Sequence, residues 1–409
     1  MHFWAYLRDG DAVTLERARL WACALLVAYA AAIAYLFLTA HGLSDYQGRP
    51  LGSDFSNIYA AGAQANAGHA ADIYSPVKHL AAERAIFGAT APFYGWHYPP
   101  FLLLIAAPLA WLPYFAALFV WQAATFALYL GAMSLLLRNA GAKIETASWI
   151  LFAVAFPAVF ANLLAGHNGF LTAALLAGAL ALLDTRPLMA GLLFGLLAYK
   201  PQFGLMIPLV LLITERWRAI GGAALSVIAL SLLSTVLFGA DIWRAFLSSE
   251  QFTRTVVLEQ GQTGFYKILS MFAWVRMWGG PVPLAYAAQG LVTVFCGFAL
   301  FHIWRRAVSQ RIKGAALCIA AILATPYSLD YDLMALAPAI GLLAADNLTL
   351  GFRPYEKAMI AALWLMPFFA RALPALTLIP IAVPVMIAAL AMTLRYAASR
   401  APGASFAKA

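Results

Sequence analysis

Between Leu20 and Ala40 the chain runs for 21 residues without a charge, and no other feature restricts its fold so tightly. At about 1.5 Å per residue this stretch is long enough to cross a hydrocarbon core of about 30 Å. No water is present there to satisfy a backbone group, so a single segment crosses only as a helix. A cleavable signal peptide is the alternative. Asp9, Asp11 and Glu16 in the preceding residues, and a run longer than the roughly 7–15 residues of a signal h-region, favour a retained signal anchor. Further apolar stretches follow near 114–137, 146–164, 167–183, 187–199, 202–214, 219–238, 282–303, 314–325, 331–345, 357–371 and 376–394. Several fall short of the roughly 17–25 residues a span needs, so their ends are expected to run into the flanking loops.

The whole chain carries the same message. Of its 409 residues 64% are hydrophobic and 11% charged, with a mean hydropathy of +0.81, where a soluble domain averages about 45–50% apolar and about 25% charged. Such a composition cannot cover itself with polar surface, which excludes a soluble enzyme. The net charge of +9 reads as an orientation signal beside apolar spans and not as a nucleic-acid footprint. Cys23, Cys296 and Cys318 sit inside apolar runs, without pairing or metal-ligand spacing, and read as small buried hydrophobes.

Two polar-aromatic segments interrupt the pattern. With the N-terminus cytoplasmic, nine of the 26 Lys and Arg residues fall outside: Arg49, Lys78, Arg84, Lys200, Arg244, Arg254, Lys267, Arg276 and Arg371. The other 17, from Arg8 to Arg400 and Lys408, fall inside, in keeping with the positive-inside rule. Phe101 to Pro113, interrupted by Pro108, is too short to cross and is expected as an interfacial helix on the outer leaflet. The expectation is therefore one all-α membrane domain over 1–409 with about 12 transmembrane helices and both termini cytoplasmic. Its two extracytoplasmic loops are 41–113, which contains the interfacial helix, and 239–281. No internal repeat appears.

Charged groups are costly at the bilayer centre, and this chain gathers its conspicuous polar residues at span ends and loops on the outer side. Asp54, in Gly52-Ser-Asp-Phe, is either a helix N-cap or a carboxylate held at the membrane surface as a general base. Tyr94-Gly-Trp-His97-Tyr98-Pro-Pro100 is either an aromatic interfacial belt or a wall for a sugar ring or a prenyl chain. His167 and Asn168 lie at the next outer connection. Lys200, before Pro201 and Gln202, either snorkels or binds a phosphate as a compact charge. Asp330-Tyr-Asp332 has spacing that could hold a hard cation, but Asp9-Gly-Asp11 repeats it in the tail, and neither a metal nor another cofactor is expected.

These residues resemble a known family, the polyprenol-phosphate-mannose-dependent α-1,2-mannosyltransferase-like proteins of glycosyltransferase family 87, within the GT-C superfamily. Ser53-Asp-Phe-Ser-Asn-Ile-Tyr-Ala-Ala61 with Asp72-Ile-Tyr-Ser-Pro76 resembles its first-loop signature. Tyr98-Pro-Pro-Phe101 resembles its Tyr-Pro-Pro-Phe segment, Gly166-His-Asn-Gly169 its Gly-Gln-x-Asn stretch, Ala198-Tyr-Lys-Pro-Gln202 its Lys-Pro-Gln, and Thr325-Pro-Tyr-Ser-Leu-Asp330 its Ser-Pro-x-Ser-Trp turn. His167 stands where Gln is commoner, and Tyr331 with Asp332 where many relatives carry a His pair. The resemblance implies a GT-C helix bundle that moves a hexose from a polyprenyl-phosphate donor to a glycan or glycolipid hydroxyl outside the inner membrane, with inversion. It also implies roles. Asp54 would be the base, and Lys200, Arg84 and Arg254 would meet the donor phosphate. His97, Tyr98, His167, Asn168, Gln202, Asp330 and Asp332 would line the substrate. A transporter or flippase of lipid-linked saccharides is the competing class, and it would place polar residues part-way along the spans.

Overall fold

The computed structural model describes residues 2–399, so Arg400 and Lys408, both assigned to the cytoplasmic side, lie outside the described residues. Within them the chain is all-helical, with no strand and only three isolated bridges. Helices α1 (His2–Asp9) and α2 (Leu15–Leu38) open it, the latter capped by the Thr14 hydroxyl. The first loop folds into α3 (Ser53–Asn66), α4 (Pro76–Phe87) and α5 (Leu103–Leu109). There follow α6 (Tyr114–Asn139), α7 (Thr146–Ala155), α8 (Pro157–Ala165), α9 (Gly169–Leu182), α10 (Pro187–Leu196), α11 (Met206–Ile213) and α12 (Trp217–Phe238). The second loop holds α13 (Asp241–Phe252) and α14 (Met271–Met277). The remainder is α15 (Val282–Arg305), α16 (Gln310–Leu323), α17 (Leu336–Leu350), α18 (Glu356–Phe369), α19 (Ala372–Thr377) and α20 (Ala382–Ser399).

Among the described residues five helical segments are long and apolar enough to cross a membrane: α2, α6, α12, α15 and the run 330–350 that ends in α17. The stretch read as a single span over 146–164 is instead a pair, α7 and α8, bent by 51°. Pro157 is the cause. It lacks an N–H and drives the preceding Phe156 out of helical geometry, to φ −56° and ψ 123°. Segments 167–183, 187–199 and 202–214 are likewise shorter helices or helix pairs that end in polar breaks. Peripheral α2 exposes Leu20, Trp21, Val27 and Leu38, and α12 exposes Leu232 and Val236, as helices facing lipid do. At the centre, α16 is buried on every side from Gly314 to Leu323.

Close backbone approach binds these apolar helices, since leucine against lipid gains nothing over leucine against leucine. Gly191 and Gly195 form a Gly-x-x-x-Gly face on α10. A Cβ on Gly191 would lie 2.0 Å from the Ala219 carbonyl oxygen of α12, and one on Gly195 would lie 2.5 Å from that of Ala223. Gly222 of α12 answers from the other side, 2.3 Å from Leu188 O. In the first loop Gly62 lets α3 reach α5 in the same way, which buries Leu103 and Ala106 while Ile105 and Trp111 stay exposed.

Gly191→Val is expected to force α10 off α12 at a cost of about 1–3 kcal/mol or more. Gly131, in α6 with open space around it, serves as the control: Gly131→Ala should be neutral or stabilising. Thermal unfolding of the purified protein in detergent compares the two, and equal stabilities would remove the close contact as a source of cohesion.

Candidate active site

Helix ends and breaks converge at one end of the bundle because two glycines meet there. Gly52, at φ 70°, opens α3, and Gly166, at φ 67°, closes α8. Both are left-handed conformations that favour glycine. A Cβ on Gly166 would stand 2.5 Å from Phe55 Cβ and 3.4 Å from Gly52 Cα, so the start of α3 rests directly on the turn that carries His167 and Asn168. The Tyr114 hydroxyl at the head of α6 donates to Leu51 O and Gly52 O and fixes the same corner.

Asp54 lies in the first turn of α3, whose N-cap is Gly52, so the carboxylate is not spent on capping. It is half-buried, and among the described residues it has no hydrogen-bond or ion-pair partner. Burial, then nearby Asp330, push its carboxyl up to about 7, while Arg371, Lys200 and Lys267 pull it back. Those opposing charges define the site.

Lys200 sits between two short 3-10 turns, at the end of the segment that begins with α10. Its ammonium, 2% exposed, donates to Asp332 Oδ1 at 2.5 Å. The other oxygen of Asp332 accepts from Leu329 N at 2.9 Å. Asp330, two residues back, forms a forked pair with Arg371, Nε and Nη2 each at 3.0 Å. The Asp-x-Asp spacing therefore serves two separate ion pairs. Between them the Tyr331 ring stacks on His167 with centroids 3.3 Å apart, and its carbonyl accepts from Asn162 at 3.1 Å.

His167 Nε2 meets the Tyr98 hydroxyl at 3.0 Å, and burial, reinforced by Lys200, holds the imidazole well below its usual pKa and so neutral. Among the described residues His167 Nδ1 and both polar atoms of the Asn168 side chain are buried without a hydrogen-bond partner, although the Tyr98 hydroxyl lies close to Asn168. Three orphaned polar atoms in one wall are costly unless something else satisfies them. A hydroxyl-rich ligand would do so.

Other expected residues fall elsewhere. Arg84, on the exposed face of α4, donates to Ala91 O, and Arg254 faces Glu259 at 3.8 Å with 62% of its side chain exposed. His97 bonds Thr253 Oγ1 at 2.9 Å, tying the first loop to the second. Gln202 is half-buried beside Lys200. The structure thus brings Asp54, Tyr98, His167, Asn168, Lys200, Asp330 and Asp332 together, while Arg84, Arg254 and His97 bond to Ala91, Glu259 and Thr253.

It also adds Arg371 and Lys267. Their outer-side placement by charge parity was the only signal in the sequence. A second addition is structural. Buried His79 reaches Gln64 at 2.6 Å and Asn57 at 3.0 Å, Asn57 donates to Gly95 O, and both oxygens of Glu83 accept from Tyr94 N at 3.2 Å. Burial pushes Glu83 up to about 8 and His79 down to about 4. Both are then mainly neutral at neutral pH. This network fastens α3, which carries Asp54, to the strand of chain that carries Tyr98.

The family model described as Glycosyltransferase family 87 matches residues 96–326. No curated protein and no solved structure matches the chain. The matched stretch contains Tyr98, His167, Asn168, Lys200 and Lys267, whereas Asp54, Asp330, Asp332 and Arg371 join the site through the fold.

Removing one partner of a buried pair strands the other, at about 3–5 kcal/mol. Lys200→Met should lose stability on that scale, and Lys200→Met with Asp332→Asn should recover most of it. Equal losses in the two proteins would assign the effect to the lysine stem. A second expectation concerns Asp54, whose folded pKa of about 7 stands above the ordinary 3.8. The folded chain then binds that proton more tightly than the unfolded chain does, so wild-type stability relative to Asp54→Asn should fall as pH rises between those values. Thermal unfolding of both proteins over that window checks the sign.

Proposed function

The chain belongs to glycosyltransferase family 87, and on that premise we propose that it is a GT-C-type membrane hexosyltransferase, mannosyltransferase-like, that takes its sugar from a polyprenyl phosphate. The acceptor is a glycan or glycolipid hydroxyl at the outer face of the inner membrane. In this reading the chain makes about 12 crossings with both termini cytoplasmic, short helices pairing across their polar breaks, and the Asp54 cluster lies outside.

The observation that carries the proposal is the convergence of an unpaired carboxyl, poised near neutrality, with three cations and a wall of unsatisfied hydrogen-bonding atoms. A pKa near the working pH is what a general base needs. Asp54 takes the proton of the acceptor hydroxyl as its oxygen bonds to the anomeric carbon. The bond from that carbon to the phosphate oxygen breaks on the opposite face, the phosphate leaves with the electron pair, and configuration inverts. Lys267, and Arg371, which keeps 54% of its side chain exposed beside Asp330, are the cations that meet the departing phosphate. Lys200, engaged by Asp332, contributes its field and holds Tyr331 in place. His167 and Asn168 read the hexose hydroxyls. Fixed charge of this kind is commonly worth about 10²–10³ in rate per donor group.

Asp54→Asn is expected to insert and fold while transferring hexose about 10²-fold or more slowly. Wild-type kcat/KM should climb with pH through about 7, a limb the variant lacks. Transfer by Asp54→Asn at close to the wild-type rate would remove the base. Topology has its own check: a cysteine introduced as Gln262→Cys should react with an impermeant maleimide from outside, and reaction only from the cytoplasmic side would invert the scheme.

A further inference from the structure

A second polar constellation lies at the end of the bundle remote from Asp54. Helix α6 starts beside Leu51 and runs for 26 residues to Asn139, a length of roughly 39 Å at about 1.5 Å per residue. Helix α9 leads down from Asn168 and the run 330–350 from Asp330, while α16 starts at this far end and finishes near Thr325. Where they meet, they line an open-mouthed cavity of about 380 Å³, within the range of roughly 300–1,000 Å³ that small-molecule sites occupy.

The lining has two characters. Leu136, Leu180 and Leu342 make one side apolar. The other side is the N-terminus of α16, capped by Ser309 and carrying Arg311. Arg311 donates to Ala140 O at 2.7 Å, Ala345 O at 3.0 Å, Thr349 Oγ1 at 2.9 Å and Gly141 O at 3.4 Å. All of those acceptors are uncharged, and among the described residues no carboxylate pairs with it. Both acids of the wall are occupied: Asp346 by Ser309 at 2.8 Å and Tyr396 at 2.7 Å, and Asp184 by Arg216 at 2.6 Å. Trp304, 3% exposed, also lines the cavity, and its indole N–H has no acceptor among the described residues. A clamp on helix ends would account for the Arg311 bonds but for neither the open volume nor the stranded N–H.

With both lining acids committed to Ser309, Tyr396 and Arg216, an anion bearing acceptor atoms on an apolar body would meet Arg311, the stranded N–H and the leucine wall together. We propose that the cavity binds the phosphate head of an anionic glycerophospholipid, with Arg311 and the α16 N-terminus on the phosphate and an acyl chain along Leu136, Leu180 and Leu342. A free phosphate ion would leave the apolar wall unused. The inference rests on the cavity and its lining side chains and holds whichever way the bundle faces.

The test uses full-length protein in nanodiscs of phosphatidylcholine with or without phosphatidylglycerol, and native mass spectrometry of the lipid retained after extraction. Two variants probe the site. Ala181→Trp fills the cavity, and Gln310→Glu sets a negative charge at its mouth in a first helical turn, where an acid supports the helix. Wild-type protein should retain phosphatidylglycerol over phosphatidylcholine, and both variants should lower that retention at least about fivefold, with the thermal stability of Gln310→Glu preserved. Equal retention by all three proteins, or no preference for the anionic lipid, would overturn the proposal. So would stabilisation by inorganic phosphate in phosphatidylcholine-only discs that matches the effect of phosphatidylglycerol, since that would identify a free anion as the occupant.

Discussion

Water is absent from the hydrocarbon, and the rest of the structure follows from that exclusion. Every backbone group in a spanning segment must find its partner within the helix, and every charge must be paired or moved to an end. This chain does both. The polar residues of the site stand at breaks between helices: Gly166 to Asn168, Lys200 to Gln202, and Thr325 to Asp332. Because those breaks lie at one end of neighbouring helices, exclusion from the apolar layer also concentrates them into one cluster. The pairs Lys200–Asp332 and Arg371–Asp330 neutralise most of the charge so gathered. Asp54 is left without such a partner.

That residual imbalance links architecture to chemistry. Asp54 reaches the cluster because Gly52 and Gly166 bring two backbones together, and Tyr98 reaches it because the His79–Glu83 network fastens its segment to α3. None of the residues in these two devices has to touch a substrate. They set where the carboxylate stands and how many charges face it, and those charges set its affinity for a proton.

Much of this was legible in the chain before its fold. The apolar runs, the polar ends and the motif segments named seven residues that the structure assembles. Arg84 and Arg254 were chosen for charge and loop membership, and neither property says which way a side chain faces in a loop folded on itself. The Lys200–Asp332 pair links residues 132 positions apart, beyond the reach of spacing. Arg371 was counted among the outer charges, but its partner Asp330 was assigned to substrate. The Gly191–Gly195 face was present in the letters, and its meaning appears only when α12 lies against it. Pro157 likewise breaks what hydropathy reads as continuous, because a window average does not register a missing N–H.

Ligand geometry gives the most direct test of the central claim that the Asp54 cluster is where a lipid-linked sugar is transferred. The measurement is a cryo-electron microscopy structure of the full chain with a non-transferable polyprenyl phosphonate hexose. The account predicts the hexose between Asp54 and the His167–Asn168 wall, its hydroxyls meeting the unpaired atoms there, and the phosphonate against Arg371 and Lys267. Density for the hexose away from Asp54, for example beside Arg254 on the outer face of the second loop, would contradict it.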